Sequence, residues 1–567
     1  MDGNRTVQLN LPEQDLADFT LFPPNAAAAI GWAQALPVAN TDASVELLLR
    51  ALDELNHYRL HPEIRFSILE ALRPNLDVAL PNLARRYLNQ PLVLPDEPQR
   101  AANASKTLYH LMSTAYSIAA VDAIQDSDSI RNSNPGQLAC ESIQRALVYA
   151  GGMVLQSFQL FRPLEVQGWH TLHKLYALAE QELLTDLPLD EPVTGARSIR
   201  ASYLQSILLS CCKPNHLRQS DLSELFAALQ DWAERVQFSI DADGLFIVDL
   251  DSDQPAQYIS LYPDREGDSL RRLDTRELVA KLASPAGAAD TGFSATLPDA
   301  LRKHLVSSLG QPSLRNFKRT ESDAILSVCI GLSSTHYHVA NQRSFESLLY
   351  GEEAPSAGEH YLDPAAQDDV WRQARPGSFT DSGTDDGGHY RYPEYRVQLA
   401  DASPGGYCLH WTGELPADLK AGDILGLKEE EHRDWGIAVI RWLNQVEPHR
   451  TLIGLELLSP RAMPYGASAR HNNGERPPPV RVLLLPEITL VNQPTTLITP
   501  RWGFQENQKL TLSNHAEECS VQLLRQVSSS SSFVQFEFRY IHELGDVLAE
   551  NQGLKLSTQF DSLWSHI

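Results

Sequence analysis

Tyr395-Arg396-Val397-Gln398-Leu399, then Asp401-Ala402-Ser403-Pro404-Gly405-Gly406, then Tyr407-Cys408-Leu409-His410-Trp411 is the stretch that decides the fold. The outer parts are strand-like runs, and the middle is a corner between them. An acid, a hydroxyl and glycines at such a corner can hold a small polar ligand. The acid accepts two donors, and glycine lets another backbone or a ligand come close. Ordinary turns use the same residues. The neighbours of this D-x-S-x-x-G therefore decide its meaning.

Upstream, Arg315-Asn316-Phe317-Lys318-Arg319 forms an R-x-x-x-R and leads into the strand-like Ala324-Ile325-Leu326-Ser327-Val328-Cys329-Ile330. Guanidinium groups offer paired donors to phosphate oxygens or to a guanine edge. Two arginines in a basic linker are otherwise simply solvated. Together and in this order, the two motifs resemble those of the PilZ domain, a small antiparallel β-barrel that binds cyclic di-GMP. Ile437-Ala438-Val439-Ile440-Arg441-Trp442-Leu443 and Leu452-Ile453-Gly454-Leu455-Glu456-Leu457-Leu458 look like that family's closing hairpin, so the resemblance covers residues 312–460.

The resemblance implies that Arg315 and Arg319 wrap the ligand from a segment before the first strand. Asp401 would accept from guanine N1–H and N2–H, Ser403 would bond a phosphate or a base edge, and Gly406 would keep the corner open. The spacing departs from the family. Arg319 and Asp401 are 82 positions apart (401 − 319), where a few tens are usual. An insertion is therefore expected within 340–392. Its Gly-, Ser- and Asp-rich part, Asp381-Ser382-Gly383-Thr384-Asp385-Asp386-Gly387-Gly388, has little to bury and reads as a mobile loop over 353–392.

The whole chain sets the frame. Its 567 residues exceed one core and suggest three or four domains. Lys and Arg number 47 against 72 Asp and Glu, a net charge of −25. Such a surface repels nucleic acid and anionic lipid, so a nucleotide site needs a local arginine cluster. The six cysteines form no C-x-x-C pair and no disulfide framework, which suits thiols in a reducing cytosol. No apolar signal core opens the chain, and no run approaches the ~18 apolar residues of a membrane span.

Residues 1–40 read as irregular. From 42 the period is helical, with Val45, Leu47, Leu48, Leu49, Leu52 and Leu55 as a stripe behind the caps Thr41 and Asp42. Further helices are expected near 63–72, 79–89, 100–122, 136–161, 166–184, 197–212 and 220–236. Strands are expected at Val236–Ile240, Leu245–Leu250 and Tyr258–Leu261, and helices at 275–283 and 297–309. After Arg476-Pro477-Pro478-Pro479 the alternation returns in Val480–Leu485, Thr495–Ile498, Lys509–Leu512, Ser520–Leu524 and Phe533–Phe538, with a short helix near 543–551.

Two other clusters have plainer readings. His336 and His338, placed on one face of a strand, lack a third metal ligand and read as packing or hydrogen-bonding residues. Asp249, Asp251 and Asp253 lack the glycine and glutamate of a calcium loop and read as a solvated turn. Hydrolase, P-loop and dinucleotide motifs are absent from the sequence, so no enzyme is expected.

The sequence thus predicts an α+β multidomain chain. It comprises an all-α domain (1–236), a small α+β unit (237–311), a PilZ-like antiparallel β-barrel (312–475) and a second β-barrel or sandwich (476–567). The expected function is a cytoplasmic cyclic di-GMP effector that signals to an unidentified protein partner through its helical domain. No cofactor, nucleic acid or membrane insertion is expected. The alternative is a ligand-independent interaction scaffold with a degenerate barrel.

Overall fold

The computed structural model describes residues 7–541, apart from 91, 93, 190–197, 262–266, 284–296, 312–319, 352–391, 404–405, 414, 417–418, 431–433, 448, 470–476, 488–493 and 531. The expected loop 353–392 (save Tyr392), the tail helix, Arg315, Arg319, Pro404 and Gly405 lie outside the described residues. The chain divides into two compact units. The first holds residues 1–316 with 413–419 and 442–451, and the second holds the remainder.

Eight helices open the first unit: α1 (Ala26–Gln34), α2 (Thr41–His57), α3 (Pro62–Tyr87), α4 (Asp96–Gln125), α5 (Pro135–Gln159), α6 (Gly168–Gln181), α7 (Ile199–Cys211) and α8 (Gln219–Trp232). In α2 the expected stripe is buried through Val45, Leu48, Leu52 and Leu55, and Asn40 caps the helix by accepting from Ala43 N at 3.2 Å. The sequence missed α1 because four successive alanines show no polar–apolar period. Its cap is Asn25, which accepts from Ala28 N at 3.0 Å.

The sequence also split α3 in two. The helix runs through Pro74 and Pro81 because Leu72, Leu76, Leu80 and Leu83 are buried in the helical core. Burying a leucine is worth about 1.5–3 kcal/mol, so four of them outweigh two interior prolines at about 3 kcal/mol each.

A four-stranded antiparallel sheet follows, of β1 (Gln237–Ser239), β2 (Phe246–Asp249), β3 (Gln257–Tyr258) and β4 (Leu270–Asp274), in the order β1-β4-β2-β3. Helices α9 (Arg276–Ala283) and α10 (Asp299–Leu309) complete the unit. Phe238, Phe246, Leu273, Leu278 and Leu305 belong to the same core cluster as the helices. The small α+β segment therefore packs on the helical domain.

The expected solvated turn is instead a cap. Asp253 accepts from Gln167 N at 2.6 Å and His170 N at 3.0 Å at the start of α6, where a carboxylate complements the helix dipole.

The second unit starts with β5 (Thr320–Glu321) and β6 (Ile325–Ile330), then α11 (Leu332–Val339) and α12 (Phe345–Tyr350). Strands β7 (Tyr395–Ser403), β8 (Gly406–Thr412), β9 (Ile424–Glu429), β10 (Gly436–Glu447) and β11 (Arg450–Ser459) follow, the end of β10 and the start of β11 (442–451) falling in the first unit. The order β7-β6-β9-β10-β11-β8, with a further β7–β8 pairing, closes a six-stranded ring. Its closing hairpin matches the expected pair of runs.

A second closed barrel is formed by β12 (Met463–Ala469), β13 (Val480–Leu485), β14 (Thr496–Pro500), β15 (Lys509–Ser513), β16 (Glu518–Ser529) and β17 (Phe533–Tyr540). It begins at β12, upstream of the 476 boundary that the proline run suggested, because β12 pairs with both β13 and β15.

The two barrels share a core. Val482 and Leu484 of β13 point into the second barrel, while Leu483 and Leu485 join Ile424, Ile437 and Val439 of the first. This two-sided burial explains why β13 is apolar without alternation.

His336 and His338 lie on α11, where the sequence suggested a strand. Residues two apart on a helix point about 200° from each other, so the two rings cannot share a metal. His336 Nε2 instead meets Tyr465 O at 3.1 Å, and His338 Nε2 meets Tyr392 O at 3.1 Å. Among the described residues no group of three or more His, Cys, Asp or Glu could hold a metal, and no helix is long and apolar enough to cross a membrane.

Candidate ligand-binding hairpin

The corner Asp401–Gly406 joins β7 to β8. Leu399 pairs with Leu409, but the next pair is Asp401 with Cys408, so Ala400 is an extra residue, a β-bulge. Side chains alternate faces along a strand, and one inserted residue flips every later one. Val397 and Leu399 face the barrel interior and are 4% exposed each. Without the bulge Asp401 and Ser403 would follow them inside. With it, both lie on the face shared with Gln398 and His410, where a polar side chain needs no buried partner. The bulge is thus the device that turns the motif away from the barrel interior, and no residue pattern in β7 announces it.

Gly406 has a structural reason as well. A Cβ placed on it would sit 2.0 Å from Leu455 O of β11. Its φ of +158° is one that side-chain-bearing residues rarely adopt. Ser403 Oγ donates to Gly406 O at 3.1 Å and so fixes the corner. The serine oxygen keeps its acceptor capacity for a ligand.

The two residues that follow the first motif, Thr320 and Glu321 of β5, reach this corner. Thr320 pairs with Ala402 and Glu321 with Asp401 along the edge of β7 opposite β8. The same edge continues through Ser322 N donating to Ala400 O at 3.2 Å and Leu399 N to Ala324 O at 2.8 Å, then into β6. Arg319 lies outside the described residues, yet its peptide bond joins it to Thr320. The pairing thus joins residues 320 and 402 across the long intervening stretch, and α12 falls within the expected insertion 340–392.

On the opposite strand, Tyr407 pairs with Ala402. Burial, and then the Glu429 carboxylate beside it, hold the Tyr407 hydroxyl above its ordinary pKa, so it stays a neutral donor.

A closed antiparallel barrel with D-x-S-x-x-G at its β7–β8 corner, and R-x-x-x-R leading into the strand beside it, is a PilZ-type receptor barrel. Comparison with known proteins agrees. Residues 245–387 and 375–464 match the family model described as "Cyclic-di-GMP receptor FimW, middle PilZ domain". Residues 27–243 match "Cyclic-di-GMP receptor FimW, N-terminal domain", and 465–541 match "FimW C-terminal beta-barrel domain". The chain is similar to the cyclic-di-GMP receptor FimW of Pseudomonas aeruginosa, at 32% identity over 555 residues, covering 90% of this chain and 89% of that protein. No solved structure matches. The chain belongs to the FimW family, which is defined by a receptor and not by an enzyme.

Proposed function

We propose that this chain binds cyclic di-GMP at the β7–β8 corner and relays that binding to a protein partner. The observation that carries the reading is the pairing of Thr320, the residue that follows R-x-x-x-R in the chain, with Ala402 of D-x-S-x-x-G. In this reading Asp401 accepts the N1–H and N2–H of one guanine. Ser403 accepts or donates at a phosphate or base edge. Gly406 leaves the corner open, and Arg315 and Arg319 supply paired donors to phosphates and guanine O6 and N7. The acidic surface makes these arginines the local source of attraction for a dianion.

The helical residues 42–236 are the proposed output surface, since the family's receptor role requires a reader and helix pairs suit protein recognition. A cytoplasmic location follows from the ligand and from the free cysteines, of which five are buried.

Titration calorimetry of the full chain with cyclic di-GMP tests the reading. Saturable binding that Arg319→Ala and Asp401→Ala each weaken by about tenfold or more is expected, since charge-assisted hydrogen bonds are worth about 1.5–3 kcal/mol. Heat-silent mixing, confirmed by equilibrium dialysis, overturns it.

A further inference from the structure

A cavity of about 670 Å³ lies within the first compact unit, lined by α4, the end of α5, α6, residues 445–447 and His449. This is the size of a small-molecule site. Its lining is mixed, apolar side chains such as Met153 and Leu160 alternating with polar ones, among them Gln99, Lys106 and Ser113 on α4, and Thr171 and Lys174 on α6. Three full-time cations line it, and two have carboxylates. Lys106 pairs with Glu165, and Lys174 pairs with Asp251. The lining carboxylate Glu447 pairs with Arg450 at 3.8 Å.

The third cation, Arg162, is different. It is half-buried, and its Nε and Nη2 donate to the neutral carbonyl oxygens of Gln445 and Gln99, each at 2.9 Å. No carboxylate partners it among the described residues. Burial alone lowers its pKa. A guanidinium has five N–H donors, and these two bonds leave three unused, including the pair across Nη1 and Nη2 that fits an oxyanion. Leaving a desolvated charge without a counter-ion is costly, so the arrangement suits an anion that arrives from outside.

The side chain is also pre-positioned. Phe161 takes the left-handed conformation at φ +54°, and Arg162 N closes the end of α5 onto Ser157 O at 2.9 Å. Phe161 O in turn accepts from Gln445 N at 2.8 Å. A non-glycine residue in that conformation costs about 1 kcal/mol or more, which the helix end carries in order to aim Arg162.

We propose that this cavity is a second ligand site, taking a small organic anion whose carboxylate or phosphate is held by Arg162. It does not rest on the cyclic di-GMP reading.

The test uses the full chain and two probes, inorganic phosphate and acetate, with chloride at matched ionic strength as the baseline. Thermal unfolding should show stabilisation by at least one oxyanion over chloride, and the stronger of the two identifies a phosphoryl or a carboxylate ligand. Arg162→Gln should weaken that binding by about tenfold or more. Thr171→Trp, which keeps Arg162 but fills the cavity, should do the same for an organic anion such as benzoate. Cyclic di-GMP affinity should stay unchanged in both variants, while Asp401→Ala leaves the oxyanion effect intact. Equal stabilisation of wild type and Arg162→Gln, or none by either probe, overturns the site. Loss of cyclic di-GMP binding in both cavity variants overturns its separateness.

Discussion

Gly406 lies so close to Leu455 that a Cβ on the glycine would stand 2.0 Å from the leucine carbonyl oxygen. The glycine of the D-x-S-x-x-G motif is thus required by the barrel itself, before any ligand enters. The contact couples the corner to β11, a strand of the same closed ring.

Gly406→Ala is therefore expected to destabilise the second unit, by the roughly 1–3 kcal/mol typical of an overpacked site. The ring must open at β11 or the corner must move. Denaturant unfolding followed by tryptophan fluorescence reads the effect, and Trp411 and Trp435 report from within this unit. Wild-type stability in this variant would show that β11 yields freely.

Asp401→Asn separates ligand recognition from folding. The substitution keeps the shape and removes the charge. One oxygen becomes an amide donor that opposes guanine N–H groups. Cyclic di-GMP affinity should fall by about tenfold or more, with the melting temperature changed by only a few degrees because Asp401 is half-buried at a strand end. Calorimetry and a thermal melt on the same sample give both numbers. An unfolded variant would mean that Asp401 is structural.

Acid should weaken both units before ordinary carboxylates titrate. Burial, with the Arg481 charge adding to it and the Tyr465 carbonyl opposing it, lowers the pKa of His336 to about 3. Burial lowers that of His173 to about 4. An unfolded histidine titrates near 6.5. Between those values the unfolded chain binds more protons, so stability is full above about pH 6.5 and declines as pH falls below it. Each histidine contributes up to about 1.4 kcal/mol per pH unit in that window. Denaturant midpoints at pH 7.5, 6 and 5 check this, and His336→Gln and His173→Gln should each flatten the slope. A midpoint independent of pH from 7.5 to 5 contradicts it.

The sequence showed the strands of the first barrel better than the short elements around them. The corner from Asp401 to Gly406 was legible as a strand-to-strand turn because polar residues and glycines stand there between two apolar alternations. The strands β6, β7, β8, β10 and β11 were legible by period alone. Helix α11 was not. Leu332-Ser333-Ser334-Thr335-His336-Tyr337-His338-Val339 has a β-like composition. It becomes helical because Leu332 enters the core shared by the barrels and His336 reaches the β12 backbone. Such contacts join residues far apart in the chain, and local propensity does not register them. The pairing of β5 was hidden for the same reason, since two residues carry no period.

The bulge at Ala400 makes the sharpest claim, because it concerns the position of a side chain and not its identity. Inserting one alanine between Cys408 and Leu409 keeps Asp401, Ser403 and Gly406 and their mutual spacing but gives Ala400 a partner on β8. It restores the plain alternation of β7, so Leu399 and Asp401, two positions apart, would occupy the same face. Asp401 would then either enter the barrel as a buried carboxylate or force β7 to slip by one residue. A slip would carry Val397 and Leu399 out of the core, each worth about 1.5–3 kcal/mol. The insertion should therefore abolish cyclic di-GMP binding and destabilise the second unit by several times more than Asp401→Asn does. Deleting Ala400 also removes the bulge, but it makes Leu399 and Asp401 neighbours on opposite faces and keeps the pairing of Asp401 with Cys408, so binding should persist. Calorimetry and denaturant unfolding on the two variants decide the matter, and an insertion variant that still binds would show that the register is free to shift.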